Sequence, residues 1–272
     1  MVVQHNMQAV NTNRMLGQNV KAVKKATEKL SSGYAVNRAA DDAAGLSISE
    51  KMRNQIRGIN QAVKNSEDGV SLIQTAEGNM NEIHSILQRM GELATKASND
   101  VNATDDRNAI KDEMTQLQAE INSIASKADF NGTKLLKGSF TGKYLQTGAN
   151  AGEELKISIA KMTASGLGLT AADIKVSSHD SAKATMTNVT SAIKKVSAER
   201  SKLGAIQNRL GYTINNLENY SENLTSAESQ IRDTNMASEM TNYTKNNILQ
   251  QAAQSMLAQA NQSTQGVLSL LQ

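Results

Sequence analysis

The sequence predicts a mainly α protein: a long coiled-coil-like helix bundle with short β-hairpins in the centre, and terminal helices that pair as a separate coiled-coil domain. Three observations carry that prediction. The 272 residues include no proline, the strongest interruption of a helix. Aliphatic residues recur every seven positions at Val189, Val196, Leu203, Leu210, Leu217, Leu224 and Ile231, the repeat of a helix with one apolar seam. Seven of the 17 glycines and both phenylalanines fall between Phe130 and Leu169, where LKISI and part of KYLQT alternate apolar with polar residues. That stretch reads as one or two short hairpins. Aromatic residues make up only 3%, so any core is built from aliphatic side chains.

At the N-terminus, Val3, Met7 and Val10 lead into Leu16, Val20, Val23, Thr27 and Leu30 at 4-3 spacing, an amphipathic helix. Residues 1–40 carry Arg14, Lys21, Lys24, Lys25, Lys29 and Arg38 against Glu28 alone. Such an arm can meet nucleic acid, acidic lipid or an acidic protein face. With Tyr34 the one base-stacking aromatic nearby, a solvated helix face is the plainer reading, and no nucleic-acid partner is expected. Asp41 and Asp42 precede Ala43-Ala44-Gly45, where an aspartate caps a helix start more naturally than it forms a catalytic dyad.

A second helix spans roughly Ala44 to Ala97. Its expected seam runs Met52, Ile56, Ile59, Val63, Ser66, Val70, Ile73, then Met80, Ile83, Leu87, Met90, Ala94 and Ala97, with a shift of register near Gly78. Gly58, Gly69, Gly78 and Gly91 each weaken it by about 1 kcal/mol relative to alanine, so it must lean on partners. A third helix, about Asp105 to Ala128, repeats Ile110, Met114, Leu117, Ile121, Ile124 and Ala128, with acidic residues at the positive end of its dipole. In the heptad helix that follows the hairpins, Ile193, Ile206, Ile214, Tyr220 and Ala227 fill the intermediate positions.

The tail is apolar almost to its last residue: Leu249, Ala252, Ala253, Met256, Leu257, Ala260, Val267, Leu268 and Leu271 follow helical spacing. Burying one Val, Leu or Met is worth roughly 1.5–3 kcal/mol, so the stripes at the two ends have reason to meet. A pair of thin helices still leaves one side of each uncovered. Further copies of the same pair would supply the missing cover, and head-to-tail contacts that do not close generate helical filaments.

Catalytic and ligand chemistry finds no support. There is no cysteine, hence no disulfide, thiolate ligand or cysteine nucleophile. His5, His84 and His179 lie far apart without ligand spacing, no GxSxG occurs, and the GLG at Gly166–Gly168 is too short for a nucleotide fingerprint. No enzyme activity, metal or cofactor is expected. No run of 18 apolar residues offers a membrane span, and MVVQHNMQAV lacks the apolar core of a signal peptide. By those rules alone the protein would be cytoplasmic. A membrane-binding reading of the basic helix and apolar tail is disfavoured because the tail is uncharged after Lys245. Asn131-Gly132-Thr133 and Asn188-Val189-Thr190 fit a glycosylation sequon, with modification on Ser or Thr an open alternative.

KLSSGYAVNRAADDAAGLSISEKM (Lys29–Met52), NSEDGVSLIQTAEG (Asn65–Gly78), QIRD (Gln230–Asp233) and MLAQANQSTQGVLSLL (Met256–Leu271) resemble bacterial flagellin, and LQTGANAGEELKISIAKM (Leu145–Met162) is similar to the hairpin region of its short forms. The resemblance implies a structural subunit of the flagellar filament. An inner helical-pair domain would comprise 1–43 plus 233–272, and an outer bundle 44–232 with hairpins at about 130–170. On that reading Leu16, Val20, Val23, Leu30, Leu249, Met256, Leu257, Val267, Leu268 and Leu271 pack the filament core. The resemblance also implies an extracellular location, reached by unfolded export through the flagellar apparatus without a cleaved signal. Expected partners are further copies of the chain, an export chaperone guarding the tail, and filament cap and junction proteins. The alternative within the same resemblance is a hook–filament junction protein. Three departures are Tyr34-Ala35-Val36 after LSSG, Gln230 where Arg is common, and Thr264 where Pro is common. QRMGEL is similar to a QRxxEL motif read by a vertebrate innate immune receptor, which assigns receptor contacts to Arg89, Leu93 and Glu113, although Gly91 stands where a basic residue is frequent. Ordinary surface charges used in subunit packing are the alternative for Arg89 and Glu113. Leu268, Leu270 and Leu271 resemble a segment sensed by cytosolic immune receptors. Both ends are expected to be unordered in the monomer and to fold on docking, since neither stripe alone offsets the entropy of ordering.

Overall fold

The chain runs α1 (Met7–Ser32), α2 (Ala43–Ala97), α3 (Thr104–Lys127), β1 (Asp129–Phe130), β2 (Thr133–Lys134), β3 (Lys143–Gln146), β4 (Glu154–Ile157), α4 (Ala164–Leu167), α5 (His179–Arg232) and α6 (Met236–Ser269). This computed structural model describes residues 6–269, with side chains described over 6–263. The fold is mainly α, with long paired helices and two short hairpins in the middle of the chain. It divides into two units, Met1–Ile56 with Glu222–Gln272, and Arg57–Ser221.

In the first unit α1 and α6 pair antiparallel. Asn6 accepts from the Ala9 N–H to cap α1 and donates to the Ala260 carbonyl at 2.9 Å, while Thr234 donates to the Gly33 carbonyl at the other end. Gly33 closes α1 in the left-handed conformation (φ 78°), where a glycine carries no steric penalty. Burial recurs at 4-3 spacing through Leu16, Asn19, Val23, Ala26 and Leu30 on α1, and through Tyr243, Asn246, Gln250, Ala253, Leu257 and Ala260 on α6. Ala26, Ala253 and Ala260 are the buried members; the rest are half-buried. In the single chain the described parts of α1 and α6 are paired helices. Asp42 accepts from the Gly45 N–H at 2.9 Å and begins α2, the capping role its position implies.

Among the described residues, the second unit holds every one of the largest fully buried side chains, among them Ile73, Met80, Leu87, Met114 and Leu135. The remainder of α2 is crossed by α5 running antiparallel, with Asn60 beside Ser221, Glu77 beside Arg200 and Thr95 beside Met186. The buried face of α2 differs from the expected seam. It runs Ile59, Ala62, Ser66, Gly69, Ile73, Ala76, Met80, Ile83, Leu87, Met90, Ala94 and Ala97 without interruption, and no register shift occurs at Gly78. Val63 and Val70 are only half-buried. Small residues take the seam here because the neighbours come close: a Cβ on Gly69 would meet Leu145 at 2.5 Å, and one on Gly58 would meet Ala149 at 3.0 Å. These glycines seat the β3–β4 hairpin against the helix.

On α5, Val189, Val196, Leu203 and Leu210 are buried as the heptad predicts. Ala192 and Glu199 share that face, whereas Ile193 is half-buried and Tyr220 is exposed. On α3, Ile110, Met114 and Ile121 are buried, with Leu117 and Ile124 half-buried beside the same core. Leu155, Ile157 and Ile159 turn inward and Lys156 and Ser158 outward, the alternation of LKISI made physical. Asn131 (φ 48°) and Gly132 (φ 76°) form the two-residue turn between β1 and β2.

Candidate interaction surfaces

The α1–α6 pair has an inverted polarity along part of its length. Asn19, Asn246 and Gln250 are half-buried in the seam, whereas Val20 (43% exposed) and Leu249 (42%) face solvent one residue away. Met7, Val10 and Met15 on α1, and Met240, Ile248 and Met256 on α6, are exposed as well. Of the residues assigned to core packing, Leu16, Val23, Leu30 and Leu257 lie in the seam of the pair, and Val20, Leu249 and Met256 lie outside it. The single stripe expected on each helix is therefore divided: Leu16, Val23, Leu30 and Leu257 are covered in the pair, while Val20, Leu249 and Met256 are left open on other faces of their helices. The reason is helical phase, since neighbouring residues step about 100° around the axis. Val267 and Leu268 fall in α6, but their side chains, like all of Leu270 and Leu271, lie outside the described residues.

The link between α1 and α2 is tied to the turn between α5 and α6. Ala35 donates to the Arg232 carbonyl at 2.7 Å, and Tyr34 bridges to Asp233 in antiparallel register. Both Arg232 and Arg53 lie over the Tyr34 ring, at 4.8 and 5.6 Å from its centre, and Arg53 also donates to its hydroxyl. Each cation has an acidic partner: Arg232 with Glu50 at 2.6 Å, Arg53 with Glu228 at 3.3 Å. Lys25–Asp41 at 2.8 Å and Arg38–Glu28 at 2.9 Å hold the same link to α1. The hydrogen bond from Lys25 keeps the Asp41 carboxyl below the usual aspartate range, and Asp41 in turn raises Lys25. Tyr34 stands out in the sequence as a departure, but this clasp does not, because its members are far apart in the chain and no spacing joins them.

On the second unit Arg89 donates to Glu113 through Nε at 3.1 Å and Nη2 at 3.0 Å, and to Glu92 through Nη1 at 3.1 Å. The Glu113 hydrogen bond, then that of Glu92, raises the Arg89 pKa further. α2 and α3 bring Arg89 and Glu113 together on a shallow groove shared with Glu92, Lys96 and Asp106. Leu93 differs: it is 3% exposed and belongs to the core beneath. Glu199, a buried acid that no motif flagged, accepts from the Ala160 N–H at 3.0 Å and so pins the segment after β4 to α5. His84 neighbours Gln88 and His179 neighbours Ser98, and no group of histidine and acidic residues among those described could hold a metal ion.

A profile described as "Bacterial flagellin N-terminal helical region" matches residues 3–141, and one described as "Bacterial flagellin C-terminal helical region" matches 186–271. The flagellin of Halalkalibacterium halodurans is 51% identical over 271 residues, covering 100% of both chains. The flagellin of Bacillus subtilis is 47% identical over 303 aligned residues, again with 100% of both covered. Among solved structures, the crystal structure of Bacillus cereus flagellin is similar at a TM-score of 0.50 and 29% identity, covering 57% of this chain and 88% of that one.

Proposed function

Because the chain belongs to the bacterial flagellin family, we propose that it is a structural, non-catalytic subunit that polymerises through non-covalent helix packing into an extracellular flagellar filament serving motility. The observation that carries the assembly mechanism is the set of uncovered apolar side chains on the α1–α6 pair, with Val20, Leu249 and Met256 exposed while polar residues occupy part of the seam. A lone chain gains nothing from that arrangement; a chain flanked by copies of itself buries it. The terminal helical pair is then the filament core, and the bundle of α2, α3 and α5 the outer domain. Exposed leucine and methionine on α6 also fit a chaperone that shields this helix before unfolded export, and filament cap and junction proteins that meet the same surface at the filament's ends. Electron microscopy of concentrated, seeded protein tests the reading: long filaments are expected, and persistent short oligomers would instead favour a hook–filament junction protein.

A second reading concerns a vertebrate innate immune receptor. The exposed Arg89–Glu113 pair supplies a charged contact, and buried Leu93 would act only by holding the helix surface in place. Binding of the monomer to that receptor is expected to weaken for Arg89→Ala, with the bundle's helix content unchanged.

A further inference from the structure

Methionine is distributed unevenly between the two units. Met80, Met90, Met114 and Met162 in the second unit are at most 3% exposed. Met186, half-buried, has its sulfur within 3.5 Å of the Thr95 hydroxyl. By contrast Met7, Met15, Met236, Met240 and Met256 on α1 and α6 are 48–71% exposed. All the exposed methionines among the described residues therefore lie on the helical pair, which also exposes Val20, Ile248 and Leu249.

We propose that these five thioethers form an oxidation site that controls whether the free subunit can assemble. The inference rests on the assembly surface proposed above. The oxidant is a small peroxide. A methionine sulfur lone pair attacks one peroxide oxygen, the O–O bond breaks, and the S=O bond forms as the other oxygen leaves in water. Sulfur is oxidised by two electrons and the peroxide reduced by two. The product is polar and chiral where the parent side chain was apolar and adaptable. A sulfoxide oxygen pressed into an interface without a donor bears the cost of an unpaired polar group, which slows addition of that subunit by about tenfold or more. Accessibility sets the direction of the effect: the monomer is vulnerable, and the filament shields the same sulfurs. Reduction by methionine sulfoxide reductases restores the surface, so the block is reversible.

The test uses full-length monomer and preformed filaments treated with limiting hydrogen peroxide, followed by peptide mass spectrometry for added oxygen. Treated monomer is then offered to filament seeds, before and after repair by the two reductases. The expected result has three parts. Met7, Met15, Met236, Met240 and Met256 take oxygen in the monomer well before Met80, Met90, Met114 and Met162. Seed extension falls by about tenfold or more. Reductase treatment restores it. A chain with all five changed to leucine is expected to extend seeds after peroxide treatment. Oxidised monomer that extends seeds at the untreated rate overturns the inference, as does equal oxidation of the buried four. Untreated monomer that extends no seeds overturns the assembly reading itself, an outcome separate from a peroxide effect.

Discussion

Single residues show where a glycine is tolerated and where it is required. A Cβ at Gly78 would meet nothing within 4 Å, so this glycine only weakens α2. Gly78→Ala should stabilise the bundle by about 0.5–1 kcal/mol, read as a raised urea midpoint with unchanged slope. At Gly166 a Cβ would strike the Lys161 backbone carbonyl, which cannot swing aside as a side chain end can. Gly166→Ala should destabilise by about 1–3 kcal/mol in the same measurement. The sequence distinguishes neither case, because what separates them is a neighbour from another part of the chain. Asp41 gives a pH prediction. Its folded pKa is depressed, chiefly by the Lys25 hydrogen bond, so its stabilising contribution is present above the ordinary aspartate pKa and lost as pH falls through the lower folded value. Lys25 has the opposite sign: its contribution is lost only as pH rises through its raised pKa. Between about pH 6 and about pH 2 the wild type should therefore lose more stability in the first unit than Asp41→Asn, followed by circular dichroism during urea unfolding.

At the scale of elements, legibility followed side-chain size. The α5 heptad could be read directly because Val189, Val196, Leu203 and Leu210 are bulky, and all four are buried. The first half of the α2 seam is hard to read because Ala62 and Gly69 hold positions that the adjacent Val63 and Val70 advertise more loudly. Hydropathy ranks valine above glycine; the close approach of Leu145 reverses that order at Gly69. The hairpins were legible from alternation and glycine content, their docking on α2 was not. The contrast predicts unequal costs along α5. Leu203, fully buried, should lose about 2–5 kcal/mol on mutation to alanine. Tyr220, at a position that fills the heptad but exposed, should change stability by no more than about 0.5 kcal/mol on the same substitution. Equal costs at the two positions, measured by chemical unfolding, would contradict the burial pattern.

Across the whole molecule, the proposed function assigns assembly to the first unit, and burial assigns most of the core to the second. Among the described residues the second unit contains the large buried side chains, while the α1–α6 seam is completed by alanines and half-buried polar groups. Hydrogen exchange should accordingly find α1 and α6 weakly protected in dilute monomer and strongly protected in filaments. The sharper prediction separates the open stripe from the covered seam. Val20 and Leu249 are exposed in the single chain, so exchanging both for asparagine removes little that the monomer buries. Each substitution should shift monomer stability by no more than about 0.5 kcal/mol. In a filament the same two sites would place polar amides in an apolar contact, each at a cost of about 1–3 kcal/mol when unpaired. Val20→Asn/Leu249→Asn should therefore leave the helix content and urea midpoint of the monomer intact while abolishing seed extension. Loss of monomer stability would mean that the stripe already has a partner within the chain. Filaments of normal length would mean that assembly uses a different face of the helical pair.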